Sequence, residues 1–287
     1  MSRTLYVTDL DGTLLGPDSQ LSAESARMLN EAVSLGALVT VATARTPATV
    51  SNLLKDVDFR LPLIVMTGGA LWNKSTGCYS DVQFFSPSQV EEIIKAYGSQ
   101  AEGGAFLYTL PAGPNGKDIF EIYHIGPLNA VEKEFMQERI DSPFKRFYVP
   151  ESGVSSLPES INDAVLFFGM QPVSVARSIY DRLGEIEDIN PMIYHDWHGD
   201  EIAEIEAFPP TTTKAQAIRR LAGEVGADRV VVYGDNVNDL SMFRVADLGI
   251  AVENAVPEVK SAAGMVIGSN RDNAVARHIL NDFRSSL

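Results

Sequence analysis

Asp9-Leu10-Asp11-Gly12-Thr13-Leu14 and Gly234-Asp235-Asn236-Val237-Asn238-Asp239 are two short clusters of carboxylates with spacings that suit chemistry. Along an extended segment residues i and i+2 project to one side. Asp9 and Asp11 can then address one substrate together, one as nucleophile and the other as acid and base. Gly12 permits a backbone geometry and a close approach that other residues resist. If the strands before the clusters are neighbours, Asp9, Asp11, Asp235 and Asp239 converge. Carboxylates at such range repel one another unless a cation sits between them. Oxygen-only donors favour a hard ion, and a small octahedral site beside phosphate favours Mg2+. Either cluster alone could be a pair of solvated turn aspartates, because Asp-Gly is common in turns. Two clusters, each directly after a strand-like run, weigh against that reading.

Those runs are Leu5 to Thr8 and Val230 to Tyr233, short and apolar as strands buried on both faces of a parallel sheet tend to be. Around the first, the chain alternates. Ser22 starts a helix carrying Ala26, Leu29 and Val33, Gly36 stops it, and Leu38 to Ala42 is a second strand. Thr46-Pro47 opens another helix, and Leu63 to Met66 is a third strand. Alternation returns late, with a helix from about Lys214 to Glu224, the strands Leu248 to Ala251 and Met265 to Ile267, and a last helix ending near Phe283. Between them the pattern loosens. Ser86-Pro87-Ser88-Gln89 signals a capped helix. Strand-like runs follow at Ala105 to Thr109, Ile119 to Tyr123, Ala164 to Phe168, Pro191 to His195 and Ile202 to Ala207. Helical segments lie near Val131 to Arg139 and Val173 to Leu183, and Gly113-Pro114-Asn115-Gly116 marks a turn. The expectation is an α/β protein with a doubly wound, Rossmann-like parallel-sheet core from residues 1–83 and 208–287, and an inserted α+β unit over 84–207. In such sheets ligands bind beyond the carboxyl ends of the strands, where both acidic clusters fall.

The chain has 287 residues, with 23 Lys plus Arg against 38 Asp plus Glu, a net charge of −15. That balance argues against nucleic acid and against anionic membrane surfaces as partners. It does not oppose a small phosphorylated ligand, since bulk charge is screened beyond about 8 Å at physiological salt. One cysteine, Cys78, excludes an intrachain disulfide and a zinc site with two cysteine ligands. No run is long enough for a membrane helix, and the first residues lack a signal-peptide core, so a cytoplasmic protein is expected.

The two acidic clusters resemble the first and fourth motifs of the haloacid dehalogenase superfamily, and more narrowly of its Cof-type phosphatases. Thr43, in Val41-Ala42-Thr43-Ala44-Arg45, is similar to the second motif, whose hydroxyl binds the transferring phosphoryl group. Lys214, in Thr211-Thr212-Thr213-Lys214, is similar to the third, whose lysine neutralises nucleophile and phosphate. Asn254-Ala255-Val256-Pro257-Glu258-Val259-Lys260 resembles a segment bordering the site, and the long insert resembles the family's cap domain. Three positions depart from the pattern. Ala44 stands where Gly is commoner, Thr67-Gly68 where Asn-Gly is common, and Asp272-Asn273 where an acidic residue followed by Gly is usual. Thr67 bears on substrate contacts, because a hydroxyl replaces an amide that both donates and accepts.

The resemblance implies a Mg2+-dependent phosphatase acting on a small phosphorylated metabolite, such as a sugar phosphate. Asp9 would be the nucleophile and Asp11 the acid and base. Mg2+ would be held by Asp9, the Asp11 carbonyl and Asp235, with Asn238 and Asp239 behind them. Thr43 and Lys214 would hold the phosphoryl group, and Arg45, Thr67, Gly68 and Asn254 would be possible substrate contacts. Transfer to another acceptor, as in a phosphotransferase or mutase, uses the same groups. A non-catalytic phospho-ligand-binding protein would keep the pocket without turnover. A phosphorylated signalling receiver shares the residue types, but receivers are single domains. A monomer or small homo-oligomer is expected. Three further signals are weaker. His195-Asp196-Trp197-His198-Gly199-Asp200 reads better as an exposed hairpin turn than as a metal site, and Cys78 as packing rather than nucleophile. Arg45 either holds an anion or pairs with a carboxylate.

Overall fold

The computed structural model describes residues 3–98, 104–111, 119–149, 162–194 and 201–287. The chain forms two compact units, Met1–Asp81 with Thr212–Leu287, and Val82–Thr211. The first begins with β1 (Thr4–Thr8), α1 (Ala23–Leu35), β2 (Leu38–Val41), α2 (Pro47–Leu53) and β3 (Leu63–Val65). Local chemistry sets these bounds. Ser22 Oγ accepts a hydrogen bond from the Ser25 amide at the start of α1, and Gly36 ends it at φ 108°, a conformation only glycine adopts freely. Pro47 opens α2, where its missing N–H costs nothing. A small antiparallel sheet then adds β4 (Ala70–Trp72) and β5 (Tyr79–Ser80) to β3. These two strands escape sequence reading because two or three residues carry no measurable period.

The inserted unit comprises α3 (Pro87–Gly98), β6 (Ala105–Thr109), β7 (Phe120–Ile125), α4 (Ala130–Gln137), β8 (Lys145–Phe147), β9 (Ala164–Pro172), α5 (Val173–Leu183), β10 (Asn190–Tyr194) and β11 (Ile202–Phe208). Ser86 and Gln89 form a reciprocal capping box at the start of α3. The strands make one sheet in the order β10-β11-β9-β6-β7-β8, antiparallel except between β7 and β8. The alternation of Ala203, Ile205 and Ala207 with Glu204 and Glu206 separates a buried face, packed with Val90, Ile93 and Tyr97 of α3 and Ile179 of α5, from the opposite one. The predicted turn at 113–116 and the His195–Asp200 segment lie outside the described residues.

The chain then returns to the first unit with α6 (Lys214–Glu224), β12 (Arg229–Gly234), α7 (Leu240–Phe243), β13 (Leu248–Val252), α8 (Pro257–Ala262), β14 (Met265–Ile267) and α9 (Ala274–Ser285). The main sheet is parallel throughout, ordered β14-β13-β12-β1-β2, and Ala42 bridges to Ile64 of β3 beyond β2. Every residue of β1 is buried, which is why its sequence is an apolar run without alternation. From β1 the chain builds outward through β2. From β12 it builds outward through β13 and β14 on the other side. The order therefore reverses between β1 and β12, and beyond their carboxyl ends lies the crevice in which such sheets bind ligands.

Candidate active site

Both acidic clusters sit at that reversal. Asp9 follows β1 directly, and its amide donates to the Tyr233 carbonyl at 3.0 Å, which ties the two strand ends together. At the heart of the site is Lys214, 3% exposed, whose Nζ donates to Asp9 Oδ1 at 2.6 Å and to Asp239 Oδ1 at 2.9 Å. Lys214 is the first residue of α6, where a cation opposes the helix dipole, and the two carboxylates supply the anionic partners such a position needs. Asp239 is fixed in turn, because its Oδ2 accepts from the Asp235 and Asn236 amides at 3.0 and 3.2 Å. Asp235 Oδ1 accepts from the Thr13 hydroxyl at 2.8 Å.

Ligating oxygens of Asp9, Asp235 and Asp239 lie within 4.8 Å of one another. Three carboxylates around one ammonium leave excess negative charge. Burial, with Asp239 nearby, pushes the Asp9 carboxyl up to about 7 even though Lys214 opposes the shift. Burial likewise brings Asp235 to about 6, with the Thr13 hydrogen bond working against it. Burial works against the charged form of Lys214, but Asp9 and Asp239 outweigh it and hold the ammonium protonated. An all-oxygen donor set with surplus charge fits a hard divalent cation.

Gly12 makes the cradle possible. Its φ is +74°, and a Cβ there would lie 2.3 Å from Asp235 Oδ2. Gly12→Ala is expected to cost about 1–3 kcal/mol of stability through strain and displacement of Asp235. It is also expected to weaken any binding of a divalent cation at these carboxylates. Urea melts and a Mg2+ titration check this, and wild-type behaviour in both would refute the cradle.

Asp11 stands apart from this cluster. Its carboxylate is exposed and bound bidentately by Arg45, with Nε to Oδ2 at 2.7 Å and Nη2 to Oδ1 at 2.6 Å. Of the two sequence readings of Arg45, the structure has the carboxylate pair. Thr43 lies just past β2, with its amide on the Ile64 carbonyl and its hydroxyl accepting from the Arg45 amide at 3.1 Å. Met66, Thr67 and Gly68 all hold positive φ, at 52°, 57° and 95°. The turn is tied back by Met66 N–H to the Arg45 carbonyl and Thr67 N–H to the Thr43 carbonyl. A β-branched residue in that region is strained, and the Thr67 hydroxyl finds no protein partner among the described residues. Gly68 is needed for contact rather than for a ligand. A Cβ there would lie 2.3 Å from the Thr213 carbonyl oxygen, so only glycine lets the turn press against the start of α6.

Asn238 is exposed and its side chain makes no hydrogen bond among the described residues, so Asp239 alone of that expected pair touches Lys214. Asn254 is occupied within the protein, donating to the Gly12 carbonyl at 2.7 Å and accepting from the Asn270 amide at 3.0 Å. Asn270 donates to the Leu15 carbonyl at 2.9 Å. Sequence reading missed Thr13 and Asn270. Thr13 lies inside the first acidic cluster and could have been found there as a polar residue in a turn beside a ligand. Nothing local marks Asn270.

The sequence profile of the haloacid dehalogenase-like hydrolases matches residues 6–279. The chain is 29% identical to the 5-amino-6-(5-phospho-D-ribitylamino)uracil phosphatase YwtE of Bacillus subtilis, over 94% of this chain and 95% of that protein. Its fold is similar to a haloacid dehalogenase-like hydrolase from Bacteroides thetaiotaomicron, with TM-score 0.72, 20% identity and coverage of 97% and 99%. It is also similar in fold to a subclass IIB sugar phosphatase of the superfamily, with TM-score 0.66, 17% identity and coverage of 97% and 98%. The chain belongs to the haloacid dehalogenase-like hydrolases, in their Cof-type branch, and is a phosphatase of that superfamily. No helix among the described residues is long and apolar enough to cross a membrane.

Proposed function

We propose that the protein hydrolyses a small phosphorylated metabolite, a sugar phosphate or a similar monoester, with Mg2+ and through an aspartyl-phosphate. The observation that carries this reading is the Lys214 ammonium held between the carboxylates of Asp9 and Asp239 at the switch point. An Asp9 oxygen attacks phosphorus in line as the bond to the leaving oxygen breaks. Asp11 gives that oxygen a proton. It then takes one from the water that attacks the phosphorus of the aspartyl-phosphate, which returns Asp9 and frees phosphate. Lys214 and the Thr43 hydroxyl neutralise and orient the phosphoryl oxygens. The carboxylates of Asp9 and Asp235 and the carbonyl of Asp11 would hold Mg2+, which supplies positive charge for the equatorial oxygens. Asp11 must leave its bidentate pair with Arg45 to reach the leaving group, which frees a guanidinium beside the incoming anion.

Substrate identity follows from neither the family nor the core. YwtE is named for a phosphorylated ribitylaminouracil and the structural relative as a sugar phosphatase. A panel of phosphomonoesters, with Mg2+ and with chelator, tests the proposal. Release of phosphate from some members only with Mg2+ is expected. Silence across the panel contradicts the reading, and chelator-resistant release contradicts the role of the ion. Capture of the phosphoryl group by an added alcohol in preference to water would favour the phosphotransferase alternative.

Metal binding and pH are linked. The carboxyls of Asp9 and Asp235 titrate near 7 and 6, above their unfolded value of 3.8. Their contribution to stability is therefore fully present below pH 4 and is lost as pH rises through 6 to 7. A divalent ion replaces the lost protons. Mg2+ is expected to leave the melting temperature at pH 5 nearly unchanged. At pH 8 it should stabilise by about 2.7 kcal/mol when a hundredfold above its Kd. Calorimetry at both pH values checks this, and an equal shift at both would refute it.

A further inference from the structure

Lys145 opens β8 in the inserted unit and is 9% exposed. Its Nζ lies 5.4 Å from the Tyr108 ring centroid and 5.8 Å from that of Phe135. The Tyr108 ring meets Phe120 edge-on at 5.8 Å, and the ammonium lies near the aromatic rings of Tyr108 on β6 and Phe135 on α4. No carboxylate pairs with it among the described residues. Arg139, another cation, acts on it electrostatically; its guanidinium lies 4.0 Å from the Phe135 ring centroid and bonds the exposed Glu138. Burial, reinforced by Arg139, pulls the ammonium down to about 8. Two cations on one aromatic ring, one of them buried without a counter-ion, is an arrangement that costs stability. Cation–π attraction returns only about 0.5–2 kcal/mol per contact, against a penalty of several kcal/mol for a buried unpaired charge.

The missing component is an anion. We infer that Lys145 anchors an anion-binding subsite within the inserted unit, taking the carboxylate or phosphate of a small organic molecule. Arg139 provides the second positive charge, and the aromatic rings exclude water, which strengthens the ion contact. The oxyanion belongs to a free small molecule that binds within this unit. The subsite itself does not rest on the proposed catalytic chemistry.

Acetylation of the intact protein by acetic anhydride, read by peptide mass spectrometry, tests it. Inorganic phosphate and 3-phosphoglycerate are the probes, and exposed Lys133 is the internal control. Occupancy is expected to slow acetylation of Lys145 by about tenfold while leaving Lys133 unchanged, because the amine is held in a charge-assisted contact. The same protection is expected in Asp9→Asn, whose core site is disabled. Unprotected Lys145, Lys145 that reagent cannot reach, or protection lost in Asp9→Asn would each overturn the subsite. Lys145→Met, which keeps the volume, is expected to abolish the binding of 3-phosphoglycerate that remains in Asp9→Asn, and unchanged binding in the Lys145→Met, Asp9→Asn double variant would overturn the subsite.

Discussion

Asp9→Asn is expected to lower kcat for phosphate release by about 10⁴-fold or more, because the proposed nucleophile and the charge that would face a cation disappear together. The fold should survive. Asparagine keeps an oxygen that can accept from Lys214, and the neighbouring contact to Asp239 at 2.9 Å is untouched. Removing the Asp9 charge also removes the cost of burying it and its repulsion by Asp239 and Asp235. The variant should therefore melt at or above the wild-type temperature in the absence of Mg2+ while binding Mg2+ more weakly. Single-turnover phosphate release and paired melts measure both. Activity within tenfold of wild type would remove Asp9 from the chemistry.

Lys214→Met should carry the largest loss of stability. The ammonium is 3% exposed and bonds two buried carboxylates, so the substitution strands both. Breaking a buried pair by deleting one partner costs about 3–5 kcal/mol. The sign of the pH dependence follows. Without the cation, Asp9 is destabilised only while charged, so the deficit should be greatest at alkaline pH and shrink as Asp9 takes up its proton. Added Mg2+ should recover part of it. Urea unfolding at two pH values measures the effect, and a deficit below 1 kcal/mol at neutral pH would show that Lys214 is solvated rather than paired. Turnover should fall by about 10²–10³-fold in the same variant from loss of phosphoryl charge stabilisation.

What the sequence disclosed, and what it withheld, divides along physical lines. The apolar run before Asp9 could be read because a strand buried on both faces tolerates no polar interruption. Asp9 and Asp235 could be placed together because parallel sheets expose the residues after each strand on one edge. Lys214 was legible as a cation at the wrong end of a helix, which asks for an anion. Asp11 was not legible in the same way. Its spacing from Asp9 suggests a shared direction, but the turn at Gly12 begins before it, and the carboxylate instead meets Arg45 from after β2. The occupation of Asn254 by the Gly12 carbonyl and the support from Asn270 are contacts across more than 240 and 15 residues respectively, and no local pattern encodes them. The small strands β4, β5 and β8 are too brief for periodicity, and the bare ammonium of Lys145 is visible only once its surroundings are.

The pairing of β1 with β12 joins Leu5 to Val230 and Val7 to Val232. A chain emerging from the ribosome makes β1 before the inserted unit and its partner β12 only after it. Val82–Thr211 is continuous and can collapse on its own sheet while synthesis proceeds. β1 can meet β2 early, but its other edge waits for β12, and closing so long a loop is slow. The newborn protein should thus depend on chaperone shelter for its opening strand rather than for its middle, and a stalled ribosome past residue 211 would hold a finished insert beside an unfinished catalytic half.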